Sequence, residues 1–189
     1  MKRLVIGISG ASGIVYGIRM LEVLQGQIET HLIITEQAKK TLSLETDMTV
    51  EAVESLASSV HSDIDLSSPL ASGSFKTEGM VIIPCSIKTL SAVANSYCQS
   101  LISRAADVNI KERRRVVLVV RETPLHLGHL RLMARVTEMG GVILPPVPAF
   151  YHKPKTIQDI IDHSIGKILD LFEIPHDLFR RWHGDEADS

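Results

Sequence analysis

Leu4-Val5-Ile6-Gly7-Ile8-Ser9-Gly10-Ala11-Ser12-Gly13-Ile14-Val15-Tyr16-Gly17 carries an aliphatic run into a glycine turn and out into a helical pattern. Apolar residues from Leu4 to Ile8 predict a strand covered on both faces, the signature of a parallel sheet. The turn comes close to the G-x-G-x-x-G spacing of dinucleotide sites, but here the glycines read G-x-x-G-x-x-G. Amides of Gly10 to Gly13 at a helix N-terminus suit an anion or a flat ring, with Ser12 adding a hydroxyl. A tight strand-to-helix turn with no ligand would use the same glycines.

The pattern repeats along the chain. Aliphatic runs at 3–8, 30–35, 79–83, 115–120 and 141–144 read as strands. Helical spacing is predicted at 13–25, 36–43, 49–59, 87–97, 100–112, 126–139 and 156–172, the last with Ile157, Ile160, Ile161, Ile165, Ile168 and Leu169 on one face. Residues 58–76, rich in Ser, Asp and Gly, read as a long loop, and the tail after about 183 as flexible. The expected architecture is α/β, a three-layer doubly wound, mainly parallel sheet in a single domain over residues 1–189.

Composition narrows the function. A net charge of −2 and a pI near 6.4 argue against nucleic acid or an anionic membrane as partner. The apolar run after Lys2-Arg3 is broken by Ser9, Gly10, Ser12 and Gly13, unlike a signal peptide, and no run approaches the ~20 apolar residues of a membrane span. Two cysteines, Cys85 and Cys98, imply no disulfide framework and suit a reducing cytoplasm.

In doubly wound sheets ligands sit at the carboxyl ends of the strands. Those ends read Gly10-Ala11-Ser12-Gly13, Thr35-Glu36, Pro84-Cys85-Ser86-Ile87-Lys88-Thr89, Arg121-Glu122-Thr123-Pro124 and Pro145-Pro146-Val147-Pro148-Ala149-Phe150-Tyr151. Glu36 stands near the place of a ribose-binding acid, but Thr35 holds the strand tip. Ser86 and Thr89 suit a helix N-cap, and the same amides suit a phosphate. Arg121-Glu122 reads as an ion pair or as a functional pair at the ligand-facing edge. Arg104 and Lys111, seven apart on one helical face, form either a solvated cationic stripe or a phosphate clamp. His126 and His129 lack a third ligand at metal spacing. Cys85, at an apolar strand end, reads as a structural thiol.

Taken in order, Gly-Ala-Ser-Gly, Ser-Leu-Glu-Thr-Asp (43–47), Ser-Gly-Ser-Phe (72–75), Pro-Cys-Ser-Ile-Lys-Thr-Leu (84–90), Arg-Ala-Ala-Asp-Val (104–108), Lys-Glu-Arg-Arg (111–114), Arg-Glu-Thr-Pro-Leu (121–125) and Pro-Pro-Val-Pro-Ala-Phe-Tyr (145–151) resemble the UbiX-type flavin prenyltransferases. The resemblance runs from Met1 to about Trp182. It implies a Rossmann-like flavoprotein fold that binds reduced FMN. The activity it implies is transfer of a dimethylallyl group from dimethylallyl monophosphate to N5 and C6 of the flavin. The prenylated FMN would serve a UbiD-type decarboxylase, and the assembly would be a homododecamer with sites between subunits.

Carried over by position, Gly10, Ala11, Ser12, Thr35, Ser86, Ile87, Lys88, Thr89 and Arg121 would contact the flavin. Arg104, Lys111, Tyr151 and Lys167 would hold the prenyl phosphate. Glu45 and Glu122 match active-site carboxylates, with Ser12 beside them and Glu122 expected to handle the C6 proton. Trp182 or Tyr151 would face the allylic cation. Two positions depart from the family's usual residues. Thr35 replaces serine and keeps the hydroxyl; Lys167 replaces an arginine common among relatives and loses its bidentate fork. The DDxxD clusters that hold magnesium on prenyl diphosphates are missing, in keeping with a monophosphate gripped by cations. Three rivals fit less well. A peptide-cysteine decarboxylase would carry a Pro-x-Met-Asn-type motif, a flavodoxin-type carrier a Thr/Ser-rich first loop, and a nicotinamide oxidoreductase the other glycine spacing.

Overall fold

The computed structural model describes residues 2–181. Thirteen elements follow in order: β1 (Arg3–Ile8), α1 (Ile14–Leu24), β2 (Glu29–Ile34), α2 (Glu36–Glu45), α3 (Val50–Glu54), β3 (Ser59–Ser62), β4 (Gly79–Cys85), α4 (Ile87–Ala94), α5 (Leu101–Lys111), β5 (Arg115–Val120), α6 (Leu127–Glu138), β6 (Val142–Ile143) and α7 (Ile157–Leu171). The chain divides into two compact units, Met1–Pro146 and Val147–Ser189. The tail expected to be flexible, and Trp182, lie outside the described residues.

The first unit holds a six-stranded sheet in the order β3-β2-β1-β4-β5-β6, parallel throughout. Alternation along the strands separates two apolar faces. Val5, Ile33, Met80, Ile82, Val116 and Leu118 pack in one core with Leu90, Leu101, Ile102, Ala105 and Val136 of α4, α5 and α6. On the other face α1 comes close at Gly17, where an added methyl would stand 2.6 Å from the Ile83 carbonyl oxygen. Helix, sheet and helix make the expected three layers.

Two differences from the sequence reading have physical causes. The stretch read as one long loop contains β3, whose alternately exposed residues Ser59-Val60-His61-Ser62 lack an aliphatic run. It forms because β2 offers an open edge. Thr30 and Ser58 exchange hydroxyl and amide there at 3.1 and 3.0 Å, and His31 Nδ1 meets His61 Nε2 at 3.0 Å. The fourth strand runs past Pro84 to Cys85, because the ladder with β5 is irregular between Ile82 and Cys85 and needs no amide from the proline.

Strand order reverses between β1 and β4, and this switch point is tied by one side chain. Ser9, 1% exposed, donates its hydroxyl to the Pro84 carbonyl at 3.0 Å and accepts from the Ser86 amide at 2.8 Å. Replacing it by alanine strands the Ser86 amide, at a cost of about 1–3 kcal/mol. Ser9→Ala is therefore expected to melt roughly 2–10 °C below the parent in a thermal scan. An unchanged melting temperature would show that the bridge is dispensable.

Candidate active site at the switch point

The glycines of the first turn answer to separate constraints. Gly7 lies inside β1 beneath α5, where a methyl would stand 2.8 Å from Ile102 Cδ1. Gly13 takes φ of +99° immediately before α1, a conformation that favours glycine. Gly10 is approached by Gln37, whose Cγ would stand 2.4 Å from an added methyl, so the spacing G-x-x-G-x-x-G reflects two close approaches and one left-handed residue, with no need for a pyrophosphate cradle.

The anion seat of that turn is already taken. Gly13 provides no side-chain cap for α1. Instead Glu45, the last residue of α2, accepts from the Gly13 amide at 2.9 Å and the Ile14 amide at 3.0 Å. Burial alone would raise its pKa. Hydrogen bonds from the Ser12 hydroxyl and these two amides, with the Arg121 charge nearby, outweigh burial and hold the carboxyl below its ordinary value of 4.5. Of the two ligands the turn could suit, an anion is displaced by the chain's own carboxylate, and a flat ring remains.

Beside this cluster opens a cavity of about 990 Å³, a size suited to a cofactor. Gly10, Thr35, Ser86, Lys88 and Thr89 line it, all named from the sequence. Thr35 caps α2 by accepting from the Ala38 amide at 3.2 Å. Ser86 caps α4 in the same way through the Thr89 amide at 3.3 Å and donates its own hydroxyl to Thr89 Oγ1 at 3.1 Å. Two helix N-termini with hydroxyls therefore face one space, a favourable setting for phosphate oxygens. Lys39, His61, Tyr97 and Ser103 also line it but were not singled out in the sequence. His61 was hidden by the misread β3, and no local motif marks the others.

Ala11, Ser12, Ile87, Arg121 and Glu122 lie outside that lining. Ser12 and Arg121 are instead grouped around Glu45. The backbone amide of Arg121 donates to the Cys85 carbonyl at 3.1 Å, joining the tips of β4 and β5. Glu122 is exposed and accepts from the Thr123 amide at 2.9 Å. The side chains of Arg121 and Glu122 form no ion pair with each other among the described residues; the Arg121 charge is felt at Glu45.

Arg104 and Lys111 share one helix, as their spacing requires, but neither lines the cavity. Half-buried Arg104 donates to the Ala71 carbonyl at 3.1 Å and to Asp107 at 2.9 Å, and exposed Lys111 pairs with Glu112. In the second unit Tyr151 Oη lies 2.9 Å from His163 Nε2, and Lys167 is exposed one turn beyond His163 on α7. The His126 and His129 rings lie against each other, centroids 3.6 Å apart and planes tilted by 33°, and His126 Nδ1 accepts from the Gly128 amide at 3.0 Å, so His126 caps α6. Among the described residues no group of three or more His, Cys, Asp or Glu side chains is arranged to hold a metal ion. Burial of Cys85 pushes its thiol far up, consistent with the structural thiol expected there. No helix among the described residues is long and apolar enough to cross a membrane.

Because the folded pKa of Glu45 is depressed, its stabilising effect is complete above pH about 4.5 and drains away as pH falls below that value. Melting temperature followed from pH 7 to pH 3 should show an acid-induced fall that is shallower in Glu45→Gln, which has no such titration. Superimposable profiles would remove Glu45 from the α1 terminus.

The family model described as Flavoprotein matches residues 1–177. The flavin prenyltransferase UbiX of Escherichia coli K12 is 56% identical over 188 residues, spanning 97% of this chain and 100% of its own. The crystal structure of AnUbiX (PadA1), in complex with FMN and dimethylallyl pyrophosphate, superposes with a TM-score of 0.96 at 49% identity, covering 98% of this chain and 99% of that one. A dodecameric FMN-dependent UbiX-like decarboxylase from Escherichia coli O157:H7 follows at a TM-score of 0.94 and 42% identity, covering 96% of this chain and 100% of that one. With the family model matched over residues 1–177, and with this identity and superposition spanning nearly the whole chain, the chain belongs to the UbiX-type flavin prenyltransferases of the flavoprotein family.

Proposed function

We propose that the protein transfers a dimethylallyl group from dimethylallyl monophosphate to N5 and C6 of reduced FMN. The observation that carries this reading is the juxtaposition at the switch point: a cofactor-sized cavity with two hydroxyl-capped helix N-termini, next to a carboxylate–hydroxyl–guanidinium cluster. FMN fits this donor set: Thr35, Ser86, Lys88 and Thr89 would hold its polar groups, and Gly10, Ala11, Ser12 and Ile87 would contact its ring. When bound and reduced it supplies the nucleophilic N5.

The chain's own residues orient and discharge. Tyr151 and Lys167 hold the donor phosphate. Arg104 and Lys111 join them from a neighbouring copy, a role favoured by their position away from this chain's cavity and by the dodecameric relative. Charge-assisted hydrogen bonds from these cations stabilise the phosphate as the allylic C–O bond breaks with its electron pair on oxygen. An aromatic face, Tyr151 or Trp182, supports the allyl cation. Glu45 is engaged by Ser12, Gly13, Ile14 and Arg121 and fixes the turn under the ring. Glu122, at the tip of β5, takes the proton released at C6 as the second bond closes. The product passes to a UbiD-type decarboxylase in the cytoplasm.

Purified protein, reduced FMN and dimethylallyl monophosphate combined anaerobically should give a flavin heavier by one five-carbon unit in mass spectrometry, and an unaltered flavin would sink the reading. Dimethylallyl pyrophosphate, tested alongside, should react more slowly if the site is built for a monophosphate. Glu122→Gln should accumulate flavin alkylated at N5 alone. Arg104→Ala should raise the KM for the donor roughly ten-fold while leaving that for FMN unchanged, the loss of one charge-assisted hydrogen bond.

A further inference from the structure

Behind the Tyr151 phenol stands a ring that the reaction above does not use. His163, on the second turn of α7, is 7% exposed, and its Nε2 lies 2.9 Å from Tyr151 Oη. It stacks on His152 with centroids 4.7 Å apart and planes 6° from parallel, and Phe179 closes it off at 4.8 Å. Both ring nitrogens of His152 are buried with no hydrogen-bond partner among the described residues, so that ring acts on His163 as a flat wall. Tyr151 itself is 54% exposed. Lys167 lies four residues along α7, on the same helical face as His163.

A neutral imidazole carries one N–H and one bare nitrogen. Whichever it turns to Tyr151 decides where the phenolic hydrogen goes. With Nε2 bare, the phenol donates inward and shows only lone pairs to an approaching anion. With Nε2 protonated, the phenol oxygen accepts from the histidine and its own O–H points away from the imidazole. Burial, His152 and the Lys167 charge all push the His163 pKa down, which keeps the ring neutral and makes the tautomer, rather than a charge, the variable.

We propose that His163 is a positioning residue for the donor phosphate: its Nε2–H donates to the Tyr151 oxygen and thereby directs the Tyr151 hydroxyl at a phosphate oxygen, beside the Lys167 ammonium. This rests on the reading that Tyr151 holds the prenyl phosphate. Phosphate and the Nε2–H tautomer then stabilise each other, because each satisfies one side of the same hydroxyl.

The test is a double-mutant cycle on the full-length protein with reduced FMN, reading the KM for dimethylallyl monophosphate. His163→Leu is expected to raise it about ten-fold, the loss of one hydrogen bond to a charged group, with the KM for FMN unchanged. His163→Gln, whose amide also donates N–H, should recover most of that loss. In a Tyr151→Phe background His163→Leu should add nothing. An equal rise in that background, or no rise at all where Tyr151→Phe alone has one, overturns the role of His163 while leaving Tyr151 in place. If Tyr151→Phe leaves the donor KM unchanged, the phosphate reading of Tyr151 falls and this inference with it. Should His163→Leu fail to fold, solid-state NMR of the unaltered protein labelled with ¹⁵N-histidine decides the matter. On addition of inorganic phosphate, His163 Nε2 should be the protonated nitrogen; a bare Nε2 with phosphate bound overturns the proposal.

Discussion

The site hangs from the join between β1 and β4. Two parallel strands whose crossovers leave in opposite directions must open a crevice at their carboxyl ends, and something has to set its width. Here the Ser9 hydroxyl bridges the Pro84 carbonyl and the Ser86 amide. That bridge fixes Ser86 as the cap of α4, and Ser86 in turn presents Thr89 and the first amides of α4 to the cavity. A buried hydroxyl with both of its hydrogen-bonding roles used is stiff, and stiffness is what a ring-orienting pocket requires.

Charge is distributed with similar economy. An acidic residue at the end of α2 opposes that helix's own dipole, so local preference disfavours Glu45. Its carboxylate compensates by capping α1 across the crevice, where the dipole is positive and two amides are unmet by any side chain of their own segment. The Arg121 charge adds to the stabilisation of Glu45, while Glu122 is exposed at the tip of β5 with one local amide contact. Two carboxylates near one sheet edge are thus held very differently, one through amide and hydroxyl contacts and one open to solvent.

Much of this could be read from the residues in order. Leu4–Ile8, Gly79–Ile83 and Arg115–Val120 are aliphatic runs of strand length, and the capping residues Thr35 and Ser86 sit at strand ends where helices begin. Five of the residues assigned to the flavin do line one cavity. The edge strand β3 escaped because three of its four residues are polar and the strand is held to β2 by side-chain contacts as much as by pattern. His61 was lost with it. The join of Tyr151 to His163 was equally hidden, since twelve residues and a helix start separate them.

The order of aliphatic strands and amphipathic helices, and with it the doubly wound sheet, was determined by the sequence alone, because periodicity and capping act over a few residues. Tertiary structure alone decided which amides Glu45 would claim, which carboxylate the Arg121 charge would stabilise, and that Arg104 and Lys111 would point to the 71–75 segment and away from the cavity. Those choices join groups some thirty or more residues apart, and only the packed chain brings their charges within reach of one another.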